Sequence, residues 1–473
     1  MFYACRAIFK SALAAIAILV LIRATALAAD GLWDGREVPH TGEVLPGSPQ
    51  LDKVDRMMAE ILARHNVPGA GVAIAYHGRL VVARGYGWAD IERRKPVEPE
   101  TLFGLASISK SIVTVTVLKL VDQGRLKLDD RVFDLLGDPK APPGKSVDPR
   151  LKQVTVRMLL HHAGGWDRDK SGDPYEFSPR MIERALKVKP PVTVDQLICY
   201  MNGKPLDFEP GTQEHYSNYG FMLAGRVIQQ VAGQPYVEAT NRITFAPMGI
   251  RQIEMAVTRH EGADSFYLPG EAKRYFLGEA KSLPGGTGGM TVAAGGWCGS
   301  AVALAQFLTA LDGTRTRTPF LDERTTRQML AKPEPPLHIR PTGSWFGLGW
   351  DTVREIPDWP HGEGLAYGKD GGVNGISTWF EHLPGGIDWV VLFNGSNPDT
   401  PEPKKPEKTV GDAKKEKPTA EKPKAEKPTE KAAEKPAADK PKATSLADTR
   451  KQMLELLRSV KQWPSGDLFE KFK

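Results

Sequence analysis

Phe103-Gly-Leu-Ala-Ser-Ile-Ser-Lys110 contains Ser107-Ile-Ser-Lys110, the one Ser-x-x-Lys in a chain of 473 residues. On a helix, positions i and i+3 share a face. A lysine beside a serine hydroxyl can act as general base once burial or a neighbouring cation lowers its pKa from about 10.4. The serine is then an acylatable nucleophile. Both residue types are common, so the tetrapeptide alone also fits an ordinary serine and lysine at a helix start. Local propensity leaves the next segment open. Ile112-Val-Thr-Val-Thr-Val117 alternates like a strand. Yet Val113, Val117, Leu118, Leu120 and Val121 also fit one helical face, with Gly124 as a stop.

The surroundings narrow the choice. Pro99-Glu-Thr-Leu-Phe103 leads into the serine, and Asp122-Gln-Gly-Arg-Leu-Lys-Leu-Asp-Asp130 follows it. Upstream stands Val67-Pro-Gly-Ala-Gly-Val-Ala-Ile74 with His77-Gly78, and downstream Val154-Thr-Val-Arg-Met-Leu-Leu-His-His-Ala-Gly-Gly165. Two Tyr-x-Asn triplets occur. Tyr200-Met-Asn202 has no supporting flank, whereas Tyr216-Ser-Asn218 follows Phe208-Glu-Pro-Gly-Thr212. Lys369-Asp370-Gly371 lies in Tyr367-Gly-Lys-Asp-Gly-Gly-Val-Asn-Gly375, between Phe346-Gly-Leu-Gly-Trp350 and Trp389-Val-Val-Leu-Phe-Asn394.

From about Val54 to Asn394 this order resembles the serine β-lactamase and penicillin-binding protein superfamily, in its class C β-lactamase-like branch. The resemblance implies an α/β (α+β) fold: an antiparallel sheet flanked by helices, with an inserted, mainly helical domain at about 107–285. It implies a catalytic domain over 30–400 that cleaves an amide or ester through an acyl-serine. Esterase, D-amino-acid peptidase and β-lactamase-like activities all fall within it.

By the same resemblance Ser107 attacks and Lys110 and Tyr216 move the proton. Asn218 bonds substrate and lysine, and Lys369 supplies positive charge or binds a substrate carboxylate. Gly371 and Gly372 let the backbone approach, with the N–H groups of Ser107 and Gly372 as oxyanion hole. No metal or organic cofactor is implied. Three departures stand out. Gly164 replaces a usual serine. Asp370 puts an acid beside the lysine, where it would weaken recognition of a substrate carboxylate. Ala303 stands where an aspartate is common, which predicts a lost hydrogen bond or helix cap. A non-catalytic sensor or scaffold in the cell envelope is the alternative, and retention of Ser107, Lys110, Tyr216 and Lys369 argues against it.

Composition sets the limits. The hydrophobic fraction is 41% and the charged fraction 25%, ordinary for a globular protein. The net charge of +6 comes largely from residues 401–443, with thirteen lysines against nine acids, and from the basic N-terminus. The body is near neutral, so nothing points to nucleic acid. Cys5, Cys199 and Cys298 offer no Cys-x-x-Cys pair, and Cys298 reads as a buried, inert thiol. His161-His162 lacks a carboxylate pattern for a metal and reads as structural.

Residues 1–29 read as an export signal: Arg6 and Lys10, an apolar stretch from Ser11 to Ile22, then Ala26-Leu27-Ala28. Arg23 is atypical there and leaves an uncleaved anchor open. The expected destination is the bacterial periplasm or the exterior, with no transmembrane span after signal removal. Glu-Lys-Pro recurs at 416–418, 421–423, 426–428 and 434–436, so 401–443 is expected to be a solvated insertion of unknown partner. Leu446, Met453, Leu454, Leu456, Leu457 and Val460 form a helical stripe, so 444–473 is expected to return to the catalytic domain.

Overall fold

The computed structural model describes residues 32–33, 37–173, 179–256, 267–276, 279–281, 292–311, 318–337, 339–373, 375–396 and 446–472. The segments 1–29 and 401–443 lie outside these. The centre is an antiparallel sheet whose main strands are β1 (His40–Val44), β2 (Gly69–Tyr76), β3 (Arg79–Asp90), β4 (Trp345–Gly347), β5 (Trp350–Glu355), β6 (Leu365–Val373), β7 (Ile376–Leu383) and β8 (Ile387–Phe393). They lie in the order β1-β3-β2-β8-β7-β6-β5-β4, and the short strand Lys95–Pro96 joins at β3. β2 and β8 are covered on both faces, so β2 reads as an almost unbroken run of small and apolar residues and β8 as an apolar run interrupted only by Asp388.

Strand pleating assigns the two faces. Lys369 is paired with Phe380, Phe380 with Val390 and Val390 with Ala73. That row faces the larger core, shared with the helices α2 (Ser109–Asp122), α3 (Asn218–Ala232) and α4 (Ala301–Leu311). The next row, Asp370, Trp379, Val391 and Val72, faces the second core. There α1 (Val54–His65) and α5 (Ala447–Ser459) cover the sheet.

The ambiguous segment after the serine is helical. α2 is buried on every side, from Ser109 to Leu118 and again at Leu120. A helix enclosed all round needs no polar face, so its β-branched run carries no amphipathic signal. Two of its buried hydroxyls are satisfied by carbonyls: Thr116 Oγ1 donates to the Ile112 carbonyl at 2.9 Å and Ser111 Oγ to the Gly349 carbonyl at 3.0 Å.

The region 107–285 is not helical throughout. Beyond Met248 come three short strands. Ile253–Met255 joins Trp297–Gly299 and Phe103–Gly104 in a small sheet, while Arg274–Phe276 pairs with Glu279–Lys281 and Gly395–Ser396. The expected loss at Ala303 does not occur. Ser300 Oγ accepts from the Ala303 N–H at 3.1 Å and so caps α4.

At the C-terminal end Leu446, Met453, Leu456, Leu457 and Val460 are buried against the outer core, while Leu454 sits at its rim. Arg450 of α5 and Arg354 both donate to Glu381, which is 2% exposed. Burial alone would raise the Glu381 carboxyl, but Arg450 and then Arg354 outweigh it and hold it low. Past the helix, Trp463 stacks on Tyr76 at 4.3 Å and the Leu80 N–H donates to Asp467 at 2.9 Å. Among the described residues no helix is long and apolar enough to cross a membrane.

Candidate active site

Ser107 lies in the 3-10 turn Ala106–Ile108, at the join of the small sheet and α2. The turn is held from both sides. The Leu105 N–H donates to the Trp297 carbonyl at 2.9 Å, and Thr378 Oγ1 donates to the Leu105 carbonyl at 3.2 Å. Ala106 has a φ of 45°, an uncommon conformation for a residue with a side chain, and one that tends to occur at functional turns. Lys110, in the first turn of α2, is fully buried. Its Nζ stands 3.1 Å from Ser107 Oγ and donates to the Ala294 carbonyl at 2.7 Å. Burial, and then the charge of Lys369, push the Lys110 pKa well down, although Asp351 and Asp173 oppose this.

The other candidates converge unequally. Tyr216 O–H donates to Ser107 Oγ at 2.6 Å. Burial and then Asp351 raise the phenol pKa well above its ordinary value, so it keeps its proton. Lys369 Nζ lies 5.5 Å from the Tyr216 ring centre. A Cβ added at Gly371 would sit 2.4 Å from the Leu105 carbonyl oxygen and 3.0 Å from the Ser107 nitrogen, so only glycine lets β6 approach the serine turn. Gly372, one residue on, is exposed. Asn218 begins α3, which Ser217 caps through the Gly220 N–H. Its amide donates to Asp173 at 2.5 Å, where a bond to the lysine was expected.

Tyr200 lies elsewhere, on the helix Val194–Asn202, with Asn202 donating to the Lys140 carbonyl. Tyr216→Phe is therefore expected to cut turnover by about 10²–10⁴-fold, the usual worth of a positioned proton donor. Tyr200→Phe should change it less than about twofold. Parallel kinetics of the two folded variants checks this, and the reverse order would refute the assignment.

Three residues gain roles that their sequence positions conceal. His162 is buried and stacks on Tyr216 at 4.5 Å. Its Nδ1 accepts from the Ser217 N–H at 3.1 Å, and its carbonyl accepts from the His215 N–H at 3.0 Å. Burial, then Lys369 and Lys110, keep the ring neutral, so it fixes the turn that presents Tyr216. Asp351 pairs with Lys369 at 2.5 Å. Continuing the register of Thr352 opposite Gly368 puts the two on facing positions of β5 and β6, a signal legible only once the strands are aligned. Asp370, expected to crowd Lys369, belongs to the other face of the sheet, in a groove with Trp379 and Arg450. Desolvation and then Asp351 raise its carboxyl, although the residue itself is exposed and solvent screens it.

Two smaller points follow. Any side chain at Gly164 would meet the Trp166 ring at 2.4 Å, which explains the missing serine there. Cys298 is buried, and burial first of all raises its thiol well above the ordinary value.

The Beta-lactamase family model matches residues 54–411. Esterase EstB of Burkholderia gladioli is 28% identical over 372 residues, which cover 72% of this chain and 90% of the esterase. Among solved structures, the penicillin-binding protein homologue from Pyrococcus abyssi matches at 24% identity with a TM-score of 0.57, over 73% of this chain and 74% of its own. The D-amino acid amidase from Ochrobactrum anthropi SV3 matches at 21% identity with a TM-score of 0.55, over 74% and 92%. At these identities the two structures are evidence of a shared fold. With the family model spanning every strand of the sheet after β1, the serine turn and both lysines, the chain belongs to the Beta-lactamase family.

Proposed function

We propose that the chain hydrolyses an ester or amide bond through an acyl intermediate on Ser107. The observation that carries this is the position of Ser107 Oγ, 3.1 Å from a buried lysine and 2.6 Å from the hydroxyl of Tyr216. The two neighbours divide the proton work. With its pKa pushed down, Lys110 offers a lone pair and takes the serine proton as Oγ adds to the carbonyl carbon. The N–H groups of Ser107 and Gly372 receive the oxyanion. Tyr216, still protonated, gives its proton to the departing oxygen or nitrogen, and Lys110 restores the phenol. Water then attacks the acyl-serine by the same route in reverse.

The esterase relative supports this reaction class, and nothing among the described residues of the site favours a sensor or scaffold. Action outside the cytoplasm is part of the proposal and rests on the sequence of residues 1–29. The test is a panel of a short p-nitrophenyl ester, a D-amino-acid anilide and a chromogenic cephalosporin. At least one should turn over in a way that Ser107→Ala abolishes. Turnover that survives Ser107→Ala, or none at all, would refute the proposal.

A further inference from the structure

Lys369 is wholly buried on its side chain, and its ammonium is engaged at 2.5 Å by Asp351, itself only 14% exposed. An ammonium in an ion pair presents a dipole to a ligand, and drawing it away leaves the aspartate uncompensated. Among the described residues, the rest of the cleft offers no surplus of positive charge. Arg168 lies over the Tyr216 ring at 5.1 Å with Asp169 at 3.9 Å. Arg340 donates to the Asp351 carbonyl at 2.8 Å and covers the Phe346 ring. Asp173 and the half-buried Glu214, whose Oε2 has no partner, add negative charge. Burial pushes the Glu214 carboxyl up to about 7, so it ionises across neutral pH.

We propose that Asp351 is a specificity-determining residue: by pairing with Lys369 it selects substrates without a carboxylate on the leaving-group side, favouring neutral esters and amides. This rests on the serine-hydrolase proposal for the same site. Discrimination by an unfavourable charge is a common route to specificity. It places the penalty on Asp351, on the serine side of the sheet, and not on Asp370 on the other face.

The test uses 3-acetoxybenzoate and its methyl ester, which differ at one carboxylate on the leaving group. The full chain should hydrolyse the methyl ester with a kcat/KM at least tenfold higher. Asp351→Asn should shift the ratio of the two at least tenfold toward the carboxylate, and comparing ratios cancels their intrinsic reactivities. Lys369→Gln, which removes the cation and leaves Asp351 uncompensated, should slow the carboxylate more than the methyl ester. The proposal is overturned if the wild type prefers the carboxylate, if Asp351→Asn folds and leaves the ratio unmoved, or if Lys369→Gln slows the methyl ester selectively. Ser107→Ala runs alongside: hydrolysis that persists there, or none in the wild type, overturns the serine mechanism and this proposal with it.

Discussion

Lys110→Met is expected to lower the acylation rate at Ser107 by about 10²–10⁴-fold, the range of a positioned general base, and by more if the site acts as one unit. The methionine matches the apolar burial of the stem and removes only the base. The sign of the pH dependence follows from the direction of the shift. Burial and the Lys369 charge favour the neutral amine, which is the active form. Activity should therefore climb as pH rises through the depressed lysine pKa, well below the ordinary lysine range. Tyr216 is shifted the other way and should add no descending limb near neutrality. Stopped-flow acylation with a p-nitrophenyl ester across pH checks both points. Lys110→Arg should be as inactive as the methionine variant, because a guanidinium does not deprotonate. A full rate with arginine would exclude lysine as base.

Ending the chain after Thr400 is expected to abolish soluble protein. The cut removes Leu446, Met453, Leu456, Leu457 and Val460 from the outer core, and the buried Leu468 and Phe469 beyond it. Each is worth about 1.5–3 kcal/mol when fully buried. The sum is on the order of 10 kcal/mol, the size of a whole domain's stability. Glu381 also loses Arg450 and keeps only Arg354 as a partner. Shortening the connection to about 12 residues with 446–472 retained is a different change. Loop closure varies logarithmically, so about two halvings of its length alter stability by roughly 1 kcal/mol. Size-exclusion chromatography and thermal melts of the two forms check this. A monomeric, folded, active truncation would show that the last helix is dispensable.

Ser107, Lys110, Tyr216 and Lys369 are legible in the sequence because each sits in a short, ordered stretch whose residue types already carry the chemistry. Legibility falls where position depends on pairing. Asp351 and Lys369 are 18 residues apart and meet only through the register of β5 with β6. The separation of Lys369 and Asp370 onto opposite faces is strand pleating, visible once the range of β6 is known. Enclosure of α2 on all sides erased the periodicity that would have announced a helix. His162 looked structural because nothing local shows that Tyr216 packs on it. Ser300 supplied the cap that Ala303 could not, a substitution of one neighbour for another that motif matching misses.

The most direct measurement is intact-mass analysis after reaction with a fluorophosphonate, followed by peptide mapping. One adduct per chain is predicted, on Ser107, absent from Ser107→Ala and slowed to the same degree in Lys110→Met as ester acylation is. An adduct on any other residue, or undiminished labelling of Ser107→Ala, would contradict an acyl-serine mechanism at this site.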